Sequence, residues 1–326
     1  MKQREHRATA DLVVLMPVYE DWEAVRLLLC RFSAVKERLP AKVRFLLVDD
    51  GSLSQPEEPL NTTLGDDHSL EVLHLVRNLG HQQAIAVGLC YAYDKLTADG
   101  IIVMDSDGQD SPDAVPSLLQ SSPTNDRVVF ASRKRRSEGP MFALFYHSYR
   151  LLHWLLTGVA VRVGNFSYLP WGYLHRLVVS SELWNHYAAT IFVSRIPYEL
   201  VPIPRARRLG GKSKMNFSAL VSHGLGAISV FSAVVGARVL VALGSASMIS
   251  VLLLVTVLSI RIWTPLAVPG WASYSIGLLL VFLAQLLGMA TAFSFLVLSG
   301  RSSAKTIPLK DYHFFLSNSE PSGSTG

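Results

Sequence analysis

Two short acidic motifs and two basic runs are the parts of this chain whose residue types and spacing suit chemistry. Asp105-Ser106-Asp107 sets two carboxylates two positions apart after an apolar run, with Gln109 as a further oxygen donor. Such donors suit a hard cation, Mg2+ or Mn2+, which commonly completes its shell with substrate phosphates. Its charge would offset a diphosphate leaving group during a displacement. Carboxylate pairs also fill turns and cap helices, and Ser111-Pro112-Asp113 just downstream reads as a helix start. Asp49-Asp50 makes a second acidic pair. The basic runs are Arg133-Lys134-Arg135-Arg136 and Arg205-Ala206-Arg207-Arg208, the latter followed by Gly211-Lys212-Ser213-Lys214. A basic run is ordinarily a solvated or nucleic-acid-facing patch, but guanidinium forks equally suit phosphate oxygens of a nucleotide, a lipid acceptor or anionic headgroups.

Several chemistries lose support. There is no Gly-x-x-x-x-Gly-Lys-Ser/Thr loop and no G-x-G-x-x-G after the first strand, which argues against P-loop and classical dinucleotide sites. An aspartyl phosphatase would want a hydroxyl where Gln109 stands, and an EF-hand would want a later glycine and a closing glutamate. Two cysteines, Cys30 and Cys90, make neither a disulfide framework nor a thiolate cluster. They read as buried thiols in helices of a reduced, intracellular chain.

The elements that would position these residues alternate. Leu12–Met16, Val43–Val48, Leu70–Val76, Ile101–Met104 and Val128–Ala131 read as strands. Asp21–Arg38 reads as an amphipathic helix with Trp22, Val25, Leu28, Leu29, Phe32 and Val35 on one face, and His81–Leu96 and Pro112–Gln120 as further helices. This pattern predicts an α/β fold with a mostly parallel sheet covered by helices. Each strand is followed by a polar cluster: 17–20, 49–52, 77–80, 105–110 and 133–136. Open α/β sheets bind ligands outside the carboxyl ends of their strands, so the clusters predict one site.

The remainder is greasy. Of 326 residues half are apolar and 17% charged, the formal charge is +5, and the mean hydropathy is +0.30, which points to a globular domain attached to a membrane. Between Arg238 and Arg261 lie 22 uncharged residues, and about Tyr274 to Ser299 a second uncharged stretch, whereas roughly 20 residues span a bilayer core as a helix. A buried helical hairpin is the soluble alternative. Trp263, Trp271 and Tyr274 suit an interfacial belt. Lys212, Lys214 and Arg238 precede the first stretch and Arg301, Lys305 and Lys310 follow the second, against Arg261 alone between them. The positive-inside bias then predicts cytoplasmic termini. Phe142–Leu156 and Phe217–Phe231 suit either interfacial or core helices. The expected division is a cytoplasmic domain over 1–214 with a helix at 141–157, a juxtamembrane helix over 215–236, two spans within 237–300, and a cytoplasmic tail over 301–326 that is disordered from Ser317.

In order along the chain, MPVYED at 16–21, VDDGS at 48–52, RNLGHQQA at 77–84, DSDGQD at 105–110, ASR at 131–133 and R-x-x-G-x-S-K from Arg208 to Lys214 resemble the family 2 glycosyltransferases of GT-A fold. With two C-terminal spans the chain is similar to their polyprenyl-phosphate subgroup, over about residues 11 to 300. The resemblance implies that Pro17, Tyr19 and Glu20 contact the base, that Asp49 and Asp50 hold base and ribose, and that Asn78 belongs to the nucleotide-sugar site. It implies that Asp105, Asp107 and Gln109 form the metal and diphosphate site with Mg2+ or Mn2+. Arg133, Arg150, Arg208, Ser213 and Lys214 would meet the donor diphosphate or the acceptor phosphate. Asp107, Asp110, Arg133 and Arg208 would serve the reaction itself, with Asp110 orienting the acceptor, taking a residual proton, or merely capping a helix. Three positions depart from the family pattern: Gly164-Asn165-Phe166-Ser167-Tyr168 stands for the usual Gly-Asp-Phe-Arg-Leu, Gly108 for a common leucine, and His81 for a common lysine. The expected partners are a nucleotide-diphosphate sugar, a polyprenyl phosphate and the membrane, with no nucleic acid; a homo-oligomer is left open. Alternatives are a different lipid-linked or polysaccharide acceptor, or a non-catalytic membrane adaptor on a transferase fold.

Overall fold

The computed structural model describes residues 8–9, 11–40, 42–60, 68–133, 150–159, 163–204, 206–210, 224–264, 270–302 and 306–317. Its strands are β1 (Ala8–Thr9), β2 (Leu12–Val18), β3 (Val43–Asp49), β4 (His68–His74), β5 (Leu96–Thr97), β6 (Gly100–Val103), β7 (Val128–Arg133), β8 (Ser167–Pro170) and β9 (Tyr198–Ile203). The helices are α1 (Trp22–Val35), α2 (His81–Lys95), α3 (Val115–Gln120), α4 (Trp171–Val178), α5 (Tyr187–Val193), α6 (Ser232–Trp263), α7 (Trp271–Ser302) and α8 (Pro308–Asp311). Residues 150–157 and 224–229 are also helical. The chain divides into two compact units, Met1–Ala143 with Val161–Val230 and Lys305–Gly326, and Leu144–Ala160 with Phe231–Ala304.

The first unit is built on a seven-stranded sheet in the order β4-β3-β2-β6-β8-β7-β9. β2, β3, β4 and β6 run parallel, β8 is antiparallel to both its neighbours, and β9 is parallel to β7. The class and mostly parallel sense expected from the sequence hold. Every residue of β2 is buried, because helices cover both faces. Leu12, Val14, Met16 and Val18 face the apolar stripe of α1, from Trp22 through Val35, while Val13 and Leu15 face Ala84, Ile85, Val87 and Leu89 of α2. The α1 stripe is the one its periodicity predicted, and the last turn tightens to a 3-10 helix over Lys36–Arg38. Cys90 is buried as expected, whereas Cys30 is only half-buried because it faces away from that stripe.

The second unit contains α6 and α7, each 32 residues long, both passing the length and composition test for a membrane span. Few of their apolar side chains are buried, unlike a hairpin in a soluble core. α6 begins at Ser232, earlier than the expected 237, and runs unbroken. The Arg238 guanidinium donates to the carbonyls of Trp154 and Leu155 at 3.2 and 2.8 Å, tying α6 to the helix at 150–157.

Candidate active site

The parallel strands end on one edge, and β8 and β9, two of the four strands missed by sequence reading, add to it. β8 runs antiparallel, so the residues entering it, 163–166, lie at the edge where β6 and β7 finish. β9 runs with β7, so the segment after it, 206–210, leaves at the same edge. Polar residues from six segments therefore meet there.

At one end stand the acids after β3. Asp49 accepts the Ser52 N–H at 3.0 Å on one oxygen, and the His74 ring lies 2.9 Å from the other. Asp50 accepts the N–H groups of Leu79 and Gly80 at 2.7 and 2.9 Å, which fixes the loop after β4. Burial pushes the Asp50 carboxyl above its ordinary range, and those two donors and His81 pull it back only in part. Glu20 adopts a left-handed backbone at φ 52° and accepts hydrogen bonds from 53–54, while its own N–H donates to Ser52 Oγ at 2.9 Å. Tyr19 and Asn78 are exposed, whereas Pro17 is buried inside β2 opposite Val48.

At the other end lies the loop after β6. The Asp105 N–H donates to Asp110 Oδ2 at 3.0 Å, so the buried Asp110 carboxylate closes the loop; the helix beyond is capped instead by Ser111, with Pro112 in its first turn. Asp107 accepts the Gln109 N–H at 2.9 Å and an Arg208 N–H at 3.1 Å. Arg208 also donates to Asp21 at 2.5 Å and to the Gly210 carbonyl at 2.7 Å. Backbone bonds from Leu209 to the Asp107 carbonyl and from Ala206 to that of Gln109, both 3.0 Å, lay 206–210 along the acidic loop. The departure at Gly108 has a local cause: its φ is +78°, and an added Cβ would sit 2.4 Å from the Leu209 side chain, which fills that space.

The other two departures touch each other. His81 Nε2 lies 3.2 Å from Asp105 Oδ1 and 2.9 Å from Asn165 Nδ2. Gln82 donates to Asn165 Oδ1 at 3.1 Å and accepts the Tyr187 N–H at 2.8 Å. That backbone donor fixes which way both amides face. Withdrawal from water and the Asn165 amide donor facing Nε2 both disfavour the imidazolium, whereas the charges of Asp105, Asp50 and Asp110 favour it and raise the His81 pKa above that of a free imidazole. His81, Gln82, Asn165, His74 and Asp21 meet at the site although the sequence assigned none of them a role there; His81 and Asn165 stood out only as departures, Asp21 and Gln82 only as members of longer motifs, and His74 not at all.

Of the remaining expected residues, Arg133 ends β7 at the site edge, and Arg150 belongs to the helix at 150–157 of the second unit. Ser213 and Lys214 lie outside the described residues. Among the described residues no group of three or more His, Cys, Asp or Glu side chains is disposed to enclose a metal. The local donor set is Asp105, Asp107 and the Gln109 amide, which fits a hard cation that takes its other ligands from substrate oxygens and water.

Residues 13–169 match the family described as Glycosyl transferase family 2. An undecaprenyl-phosphate 4-deoxy-4-formamido-L-arabinose transferase from Salmonella paratyphi A is 28% identical over 218 residues, 64% of this chain and 64% of that protein. Its namesake from Photorhabdus laumondii is 27% identical over 219 residues, again 64% of each. The match thus spans just under two thirds of these relatives. Among solved structures, glucosyl-3-phosphoglycerate synthase from Mycobacterium tuberculosis with Mn2+, uridine diphosphate and glucosyl-3-phosphoglycerate gives a TM-score of 0.49 at 13% identity, covering 70% of this chain and 80% of that one. Mannosyl-3-phosphoglycerate synthase from Rubrobacter xylanophilus gives 0.47 at 14%, covering 68% and 72%.

Proposed function

We propose that the protein, whose residues 13–169 match glycosyl transferase family 2, moves a sugar from a nucleotide-diphosphate donor to a polyprenyl phosphate at the cytoplasmic membrane face. The observation that carries this reading is the Asp105–Asp107–Arg208 cluster at the ligand-binding edge of the sheet, in a chain that also holds two exposed apolar helices. The relatives from Salmonella and Photorhabdus are named for undecaprenyl phosphate, the same class of acceptor.

In this reading an acceptor phosphate oxygen attacks the anomeric carbon while the bond from that carbon to the donor diphosphate breaks, inverting the configuration. A phosphate monoester is largely ionised at neutral pH, its second pKa being about 6, so a strong base is unnecessary. Asp105, Asp107 and Gln109 would hold Mg2+ or Mn2+, whose charge offsets that of the leaving diphosphate. Arg208, now paired with Asp107 and Asp21, stands ready to bind phosphate oxygens. Asp49, Asp50, Glu20, Tyr19 and Asn78 form the nucleoside end. Asp110 closes the acidic loop by accepting the Asp105 N–H. Arg133, Arg150, Ser213 and Lys214 are assigned to phosphates by the family pattern.

Orientation follows from connectivity and charge. Residues 306–317, beyond α7, pack on the same unit that precedes α6, which supports a hairpin with both ends on one side. Positive charge is concentrated on the flanks of that hairpin, with Arg261 alone at its turn.

The test is to incubate the purified full-length protein with undecaprenyl phosphate, Mg2+ or Mn2+ and a panel of nucleotide sugars. A glycosylated lipid phosphate identified by mass is the expected product. No product with any donor, or transfer only to a different acceptor, overturns the reading.

A further inference from the structure

Beyond α7 the chain returns to the sheet. After α8 and a 3-10 turn over Tyr312–Phe315, Leu316 forms an antiparallel bridge with Leu75. The Val76 N–H donates to the Phe315 carbonyl at 3.0 Å and the Ser317 N–H to the His74 carbonyl at 2.8 Å. The segment is anchored from beneath. Tyr312 is only 2% exposed and its hydroxyl donates to Asp94 at 2.7 Å, while the Phe315 and Trp184 rings meet edge-on at 5.3 Å. β4 is the terminal strand of the sheet, so these contacts close the carboxyl end of an edge that would otherwise offer unpaired backbone groups.

The gripped residues lead directly into the nucleoside end of the site. His74 holds Asp49 Oδ2 at 2.9 Å, and the Leu75 N–H donates to the Asp49 carbonyl at 2.9 Å. Three and four residues beyond Val76, Leu79 and Gly80 give their N–H groups to Asp50. A hold on 74–76 therefore sets where both acids point.

We propose that residues 308–317 are a positioning strap, which fixes the segment 74–80 and through it the grip of Asp49 and Asp50 on the donor's nucleoside. The strap rests on the transferase reading above but touches no substrate itself. A mere cover for an apolar sheet edge would stabilise the whole unit without favouring one substrate.

The test uses the full-length protein in lipid nanodiscs. Ser317→Pro removes the donor to His74, Ser317→Ala keeps it, and Tyr312→Phe removes the bond to Asp94 while keeping the ring. Amide exchange over 74–80 and the binding of UDP, GDP, CDP and TDP with Mn2+ are measured, with the donor and acceptor KM from product assays. Ser317→Pro should speed exchange over 74–80, weaken the bound nucleotide about tenfold, as expected for a lost hydrogen bond and a loosened loop, and raise the donor KM. Its kcat and undecaprenyl phosphate KM should match wild type, and Ser317→Ala should match wild type throughout. Unchanged exchange and binding in Ser317→Pro overturn the strap, as does a uniform loss of melting temperature and of every kinetic constant in Ser317→Pro and Tyr312→Phe. Wild-type protein that binds none of the four nucleotides overturns the nucleotide reading, and the strap's role with it, even if exchange responds.

Discussion

Arg208 reaches Asp107, 101 positions before it, and Asp21, 187 positions before it. Asp107→Ala would remove one candidate cation ligand and one partner of this guanidinium. Transfer should fall at least about 100-fold, the usual scale for losing a group that stabilises developing charge, while the protein still purifies folded from membranes. Retained turnover would refute the assignment of Asp107. Asp110 separates two roles. An amide oxygen can replace the carboxylate as acceptor for the Asp105 N–H, so if loop closure is the role of Asp110, Asp110→Asn should keep activity within about tenfold. A general base at that position would lose about 100-fold or more, and a rate assay at saturating donor tells the two apart. That Asp105, Asp107 and Gln109 share one loop at a strand end was legible in the sequence, because they are close neighbours in it. Their partners were not. His81, Asn165 and Asp21 come from separate strand ends, and only the sheet order brings them within hydrogen-bond distance. Nor could spacing reveal that Asp49 and Asp50 already have partners in His74 and in the N–H groups of 79–80.

At the scale of elements, α2 lies very close to the sheet at Gly88. A Cβ there would stand 2.7 Å from both Leu15 Cδ1 and Val48 Cγ2. Gly88→Val would force helix and sheet apart, at about 1–3 kcal/mol for an overpacked core. The expected result is a melting temperature several degrees lower in detergent, and an unchanged value would mean that the helix shifts freely. The helices and central strands were legible where periodicity was strong, as in the α1 stripe. β8 and β9 were not: β8 has four residues and lies buried between β6 and β7, and β9 is a sheet-edge strand interrupted by Pro202. β4 runs His68–His74, two residues earlier than its apolar pattern suggested, because as the terminal strand it is only partly buried. Ser317, expected to begin a disordered tail, is hydrogen-bonded to β4, a pairing its polar surroundings in the sequence did not announce.

For the whole molecule, length and charge constrain the membrane arrangement. A helix of 32 residues is about 48 Å long at about 1.5 Å per residue, more than the hydrocarbon core of about 30 Å. The 22 uncharged residues between Arg238 and Arg261 measure about 33 Å on the same rise, so if α6 is a span, as proposed above, the two arginines bracket the core and the rest of the helix extends into the headgroups. The proposed arrangement then places Arg238 and Arg261 at opposite faces of the membrane. The chain beyond α7 pairs with β4, so His313, exposed in that segment, shares the side of the sheet domain. This predicts an asymmetric labelling pattern. In sealed right-side-out vesicles, a membrane-impermeant maleimide should modify Thr264→Cys at the turn but leave His313→Cys untouched, and inverted vesicles should reverse both results. Cys90 is buried and Cys30 half-buried, so replacing both with Ala first gives a clean background. Labelling of His313→Cys from outside would put the acidic site away from cytoplasmic nucleotide sugars and defeat the proposed reaction, whatever the chemistry of the site. Labelling of both cysteines from one side would instead deny that α6 and α7 cross the bilayer.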